Sequence, residues 1–243
     1  MNALRSLTLA DIRNVNRDSL LRLMLLYPLV MAVVLRWLLP FMAAGLAEVF
    51  DVRPYWGVLT SFFGTLLIPQ LFGYVIGFML LDERDDGTLT ALRVTPLSLN
   101  RYLFYKLAVP VVTSIAAVYI FVPVVGLVTV PYAPLLPIDL VAACTGPLFA
   151  LLLAALAGNK VQGLVMMKGL SLVMAAPLLA YFVPEPWHWL FGLAPTFWPV
   201  KAFWQVLAGH RWWPTVVLGL FYNGLLLLLL LHHFKRVLGR QSR

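Results

Sequence analysis

Four of the ten acidic residues fall within five positions, Asp82-Glu83-Arg84-Asp85-Asp86. Carboxylates packed this densely around one arginine can form ion pairs, cap helix ends or dock against a basic surface. Acid–base or nucleophilic catalysis would need more: a nucleophile with a base, carboxylates held apart across a cleft, or metal ligands. The four histidines, His188, His210, His232 and His233, include no i, i+4 pair of the kind that grips zinc from one helix face. Cys144 is the single cysteine and lies among small and apolar neighbours, which reads as an inert buried thiol. No Gly-x-x-x-x-Gly-Lys-Ser/Thr phosphate loop occurs, so the chain lacks that route to ATP. The chemistry in view is therefore docking and charge pairing, with no catalytic residues, metal ligands or cofactor expected in this chain.

The elements that must carry these residues are membrane helices. The 243 residues are 62% hydrophobic and 12% charged, about half the charge of an ordinary soluble domain. Eighteen basic and ten acidic side chains cannot cover a chain of this size in water, so lipid is the missing solvent. Apolar runs long enough to span lie at 23–44, 56–81, 103–130, 138–157, 164–183 and 214–231, which predicts an all-α protein of six spans. The second run, 26 residues or about 39 Å of helix, must tilt or project. Pro28, Pro69, Pro110, Pro123, Pro147 and Pro177 fall inside runs and predict kinks. Residues 1–22 carry four arginines and two aspartates without a continuous apolar core, so they do not read as a cleavable signal.

Sorting the charges by loop gives an orientation. Fourteen of the 18 basic residues fall on the side of both termini and of the 82–98 link, and three (Arg53, Lys201, Arg211) on the other, with Arg36 within the first span. The positive-inside rule then places both termini in the cytoplasm. All eight tryptophans lie at or near the opposite boundary, where an indole ring prefers to sit. The +8 net charge is thus a topology signal, with no nucleic acid implied.

In the link, Gly87 can end the preceding helix, Thr88 can cap a short new one reaching to about Val94, Pro96 stops it, and Ser98 can cap the third span. Leu97 and Tyr102 stand as a hydrophobic staple, and Leu89 and Leu92 share one side of the short segment. A partner docking on that side and a simple solvated loop are the two readings the residues leave open.

At these positions the chain resembles the permease subunits of type-2 ATP-binding cassette (ABC) exporters. Glu83-Arg84, Gly87-Thr88-Leu89, Leu92, Thr95-Pro96, Ser98 and Lys106 match that family's link between its second and third spans. A second match runs from Ala194-Pro195-Thr196-Phe197 through Lys201-Ala202-Phe203 to Gly209, with Ala194 where Asn is commoner and Lys201 where Arg is frequent. The resemblance implies a permease fold with a connecting helix at 1–22, a six-span domain at 23–231 and a basic cytoplasmic tail at 232–243. It further implies a coupling region at 82–98, where Glu83, Arg84, Gly87, Thr88, Leu89, Leu92, Thr95 and Pro96 engage a separate ATP-binding subunit, two copies per transporter, which holds ATP and Mg. A second permease copy, identical or a sister chain, completes the transporter in the plasma membrane. It also implies short re-entrant helices at 184–213, where Pro195, Phe197, Trp198 and Phe203 form an outer gate. A plain aromatic belt on lipid is the competing reading of that stretch.

Of the polar residues within the runs, Arg36 reads as snorkelling outward rather than binding substrate, and Gln70 and Asn223 as helix-to-helix hydrogen bonds or substrate-path contacts. Gly73-x-x-x-Gly77 permits close helix contact and lends slight support to dimerisation. Asp139 is placed at the mouth of the fourth span, so the spans are expected to lack a confident acid. That absence argues against a membrane-embedded enzyme and against an ion-coupled secondary carrier, which also usually shows two similar halves. The expected function is export of a hydrophobic or amphipathic small molecule, drugs and antibiotics included, powered by the separate subunit.

Overall fold

The computed structural model of the protein describes residues 19–91 and 98–241. Among these residues there is no strand, and six helical segments are long and apolar enough to cross a membrane: Leu26–Leu46, Arg53–Asp85, Leu99–Val125, Tyr132–Leu156, Lys160–Phe182 and Trp213–Leu238. The order is α1 (Ser19–Leu46), a 3-10 turn (Arg53–Tyr55), α2 (Trp56–Ser61), a π-helical stretch (Phe62–Leu67), α3 (Ile68–Asp85), the single turn α4 (Thr88–Ala91) and α5 (Leu99–Val125). Then come α6 (Tyr132–Ala143), α7 (Thr145–Leu156), α8 (Lys160–Phe182), a 3-10 segment (Trp187–Leu193), α9 (Phe197–Leu207) and α10 (Trp213–Gln241).

Spans 2 and 4 are the core. Of their most apolar windows 89% and 78% is buried, against 22% for spans 1, 5 and 6, so the others ring this pair and turn apolar faces outward. Both central spans are broken, and prolines account for the breaks. Pro69 has no N–H for the Thr65 carbonyl, and the turn before it widens to a π-helix. Pro147 likewise withholds a donor from the Ala143 carbonyl, and span 4 divides at Cys144.

The two irregular stretches meet where the helices touch. A Cβ on Gly73 would collide with the Gly146 backbone, and one on Gly146 would lie 2.8 Å from the Pro69 carbonyl oxygen and 3.4 Å from Pro110. One turn on, Gly77 abuts Ala150 and Leu153. The Gly-x-x-x-Gly element therefore serves packing inside one chain, where the sequence suggested a contact between two.

Several ends follow local rules. Gly87 turns left-handed (φ +71°) after α3, and the Ser98 hydroxyl accepts from Arg101 N to cap α5, both as the sequence predicts. Other boundaries move. Span 4 begins six residues earlier than the hydropathy run, because Pro131 and Pro134 sit at and just inside a helix start that needs no N–H there. Span 3 stops at Gly126 (φ +64°) instead of running to 130. The stretch 232–241, expected as a tail, continues α10, with Phe234 and Leu238 buried in the cluster that contains Leu80, Leu89, Tyr102 and Leu103. Residues 1–18 and 92–97, which include most of the connecting helix and Leu92, Thr95, Pro96 and Leu97, lie outside the described residues.

The crossing makes a direct prediction. Gly73→Ala forces a methyl onto the Gly146 backbone and is expected to cost about 1–3 kcal/mol of overpacking. Gly224→Ala, in α10 with nothing within 4 Å of the added methyl, is the matched control. Thermal melting of the detergent-purified protein should fall for the first alone.

Candidate functional site

Two polar assemblies stand at opposite ends of the bundle. The first is at the foot of span 2, where three successive side chains reach three different spans. Asp82 Oδ2 pairs with Lys160 Nζ at the start of α8 (3.1 Å). Glu83 Oε1 pairs with Lys106 Nζ of α5 at 2.9 Å, and its other oxygen accepts from the Tyr102 hydroxyl. Arg84 donates to the carbonyls of Ala154 (2.8 Å), Ala157 (2.7 Å) and Gly158 (3.2 Å), capping the C-terminus of α7. Those carbonyls have no helical donors, and a guanidinium there also complements the helix dipole.

These contacts come from spacing. On a helix, successive residues point about 100° apart, so a run of three charges sprays outward to three neighbours of a central span. Lys106 lies two turns inside α5 with its side chain 0% exposed, so the sequence's placement of this lysine among the loop charges is corrected to a buried pair. Pairing is what makes a charge tolerable at that position.

The link residues follow from this frame. Gly87 and Thr88 are exposed, and α4 starts at Thr88. Leu89 is 2% exposed and belongs to the same cluster as Leu80, Tyr102, Leu103 and Leu238. The sequence placed Leu89 on a docking side; in this chain it anchors the turn to the bundle instead. Its environment was hidden because the covering residues, Phe234 and Leu238, sit in the stretch that reads as a polar tail.

The second assembly caps the other end, with α9 inserted among the spans. Phe197, Ala202 and Phe203 are 0% exposed and Val200 1%. Val200 packs with Leu66 and Met174, while Ala202 and Phe203 join Ile138, Val141 and Val216. The insertion is fastened by Trp204 Nε1 donating to Ser61 Oγ (2.9 Å), Thr196 Oγ1 to the Val173 carbonyl (2.8 Å) and the Tyr222 hydroxyl to the Leu193 carbonyl. Within 184–213, α9 therefore packs among the spans, while Trp187, Trp189, Leu190 and Trp213 on either side of it stay exposed. Pro195 and Trp198 are half-buried, Trp198 Nε1 donating to the Gly192 carbonyl (3.0 Å).

Asn223 Nδ2 reaches the carbonyls of Val141 and Pro195, each at 3.3 Å, and so ties α10 to α6 and to the cap. Gln70 donates to the Tyr74 hydroxyl (2.6 Å) one turn along its own helix rather than to another one. Arg36 is exposed and donates to the Val124 carbonyl (2.7 Å), reaching the last turn of span 3 and capping it much as Arg84 caps span 4.

Behind α9 lies a cavity of about 290 Å³ whose lining includes Tyr181, Glu185, His188, Lys201, Trp204 and Gln205. Glu185 Oε1 stands 3.5 Å from both Lys201 Nζ and His188 Nε2. Burial, and then the Lys201 ammonium, hold the His188 imidazole below its usual range against the opposing pull of Glu185.

The largest departure from expectation is Asp139. Span 4's earlier start puts it two turns inside, 1% exposed, and neither carboxylate oxygen has a hydrogen-bond partner among the described residues. The spans therefore do hold a buried acid. A missing helix-start signal hid it, since prolines, not a polar cap, open α6.

Residues 11–231 match the family described as "Fluoroquinolones export permease protein Rv2686c-like". Over 235 residues the chain is 36% identical to the fluoroquinolones export permease protein Rv2686c of Mycobacterium tuberculosis H37Rv, covering 93% of this chain and 91% of the relative. The permease protein MT2760 of strain CDC 1551 / Oshkosh matches to the same extent. No solved structure matches.

Two predictions follow from the geometry. Lys106→Met strands Glu83 beside the bundle and should cost about 3 kcal/mol, while Lys106→Met with Glu83→Gln removes both charges and should restore most of the melting temperature. For His188 the folded value is depressed below the unfolded one near 6.5, so the unfolded chain takes the proton first. Stability should then decline as pH falls below about 6.5, and His188→Gln should remove that part of the acid sensitivity in melting curves at pH 7.5 and 5.5.

Proposed function

The chain belongs to the Rv2686c-like fluoroquinolone export permease family, and we propose that it is the membrane half of an ATP-driven exporter of aromatic amphipathic drugs of the fluoroquinolone kind. The match over 93% of the chain to a named export permease carries this reading, together with six helices long and apolar enough to cross a membrane. Energy enters from a separate ATP-binding subunit, which holds ATP and Mg. Two permease copies, identical or sister chains, each engage one such subunit in the plasma membrane, with both termini in the cytoplasm.

The hub at Asp82-Glu83-Arg84 supplies the mechanical step. A nucleotide-driven push on the exposed Asp85-to-Thr88 corner enters span 2, and the three side-chain links deliver it to spans 3, 4 and 5 together. Spans tied at one end rock as a unit, and the inserted cap at the other end shifts with them. Such alternation is how a bundle exchanges an inward-open site for an outward-open one without chemistry of its own.

An ion-coupled carrier is the second reading, and Asp139 is the observation in its favour. A buried carboxylate without a partner is the element such a carrier uses to bind a proton or a cation. The two readings separate on energy source. The purified chain should show no ATPase activity, and should gain drug-stimulated activity on reconstitution with its ATP-binding subunit. Asp86→Arg, at the exposed corner, should cut that activity several-fold with unchanged melting. Drug efflux from vesicles lacking ATP, driven by a proton gradient and abolished by Asp139→Asn, would instead establish the carrier.

A further inference from the structure

We infer that the cap cavity is an exit-side subsite for a zwitterionic aromatic molecule, with Lys201 meeting the anionic group and Glu185 the cationic one; the inference rests on the export reading above. The cavity is lined in part by rings: Tyr181 and Trp204 meet edge to face at 5.0 Å on one wall, and Phe197 also faces it. A pocket of about this size that is apolar with a few convergent polar groups is the usual form of a small-molecule site. The polar groups are of both signs. Lys201 and Glu185 are 3.5 Å apart, a contact loose enough for a ligand's charges to insert and replace it with two tighter ones.

The chemistry of the lining selects the occupant. A purely apolar ligand would leave the Lys201–Glu185 pair unused, and an inorganic ion would leave the ring-lined wall unused. An aromatic acid with a basic amine answers the rings and the ion pair together.

The position fits release. The cavity is built from the end of span 5, the 183–188 linker and α9, at the end of the bundle away from the hub. A molecule held there has left the spans, and its charges are exchanged against side chains that can pair again behind it.

The test uses the full chain in lipid nanodiscs and a fluorescent fluoroquinolone, an aromatic acid carrying a basic amine, with binding read by anisotropy. Three probes are compared: the zwitterion, its carboxylate ester and its N-acyl derivative. Lys201→Gln should weaken the zwitterion about tenfold or more and leave the ester unchanged, while Glu185→Gln should weaken the zwitterion similarly and leave the N-acyl compound unchanged. That crossed pattern requires contact between each residue and one charge, and a variant that merely loosened the cap would weaken all three probes alike. Equal losses across the probes, or no loss, would overturn the site. Export by the assembled transporter is measured in parallel with the wild type. Efflux without the crossed pattern defeats the subsite alone, and the crossed pattern without efflux supports the subsite and defeats the export reading.

Discussion

The close approach of Gly73 and Gly146 is the constraint on which the rest of the bundle depends. In lipid there is little hydrophobic gain in bringing two apolar helices together, so association rests on packing, and packing improves where nothing but backbone intervenes. Among the described residues that contact joins the two spans that are mostly buried, and each other span touches at least one of them. The π-helical stretch before Pro69 and the break before Pro147 bend both backbones at the same level, so the helices nest beside Pro110 of span 3. Helix irregularity at membrane depth is tolerated only where protein surrounds it, and the ring of outer spans provides that surround.

With the pair fixed at its middle, side chains at its two ends tie it to the other spans. At one end Asp82, Glu83 and Arg84 join span 2 to spans 5, 3 and 4 by an ion pair, a buried ion pair with a tyrosine, and a C-terminal cap. These links differ in exposure, and so in strength. Asp82–Lys160 is nearly half exposed and contributes little by itself, whereas Lys106 is fully enclosed and cannot lose its partner without stranding a charge. Spans 2 and 3 must therefore move together, while span 5 is held by a link that solvent can open. At the other end α9 fills the space between spans 4, 5 and 6, held by neutral hydrogen bonds to backbone and serine and by the Lys201–Glu185 pair.

The fold class was legible because membrane helices announce themselves: six apolar runs, one glycine after α3 and one serine before α5 each did what their side chains dictate. What escaped notice had a common cause. Leu89 reads as a docking residue only if the last turns of α10 are ignored, and those turns read as a basic tail because burial of Phe234 and Leu238 depends on elements far away in sequence. Lys106 and Arg36 read as loop or interface charges because their partners, Glu83 and the Val124 carbonyl, are 23 and 88 residues distant. Asp139 reads as a mouth residue because a helix opened by prolines carries no polar cap to mark its start. The cap end was half legible: aromatic density marked 184–213 as unusual, but density alone does not distinguish rings among spans from rings on lipid.

Lys106 and Asp139 show two ways of burying a charge, and the difference bears on mechanism. Lys106 is matched by Glu83, so its cost is offset at all times and it can serve as a fixed joint. Asp139 is matched by nothing among the described residues, so its cost is borne unless a proton, a cation or a donor arrives. A group that is expensive when empty and satisfied when occupied favours whichever arrangement of the spans brings it a partner. If the span rearrangement driven from the hub carries a donor or a cationic group past α6, Asp139 stabilises that state and not the one seen here. An unmatched acid in the core is then a bias on the equilibrium between arrangements, set inside the chain and independent of whether the energy comes from nucleotide or from an ion gradient.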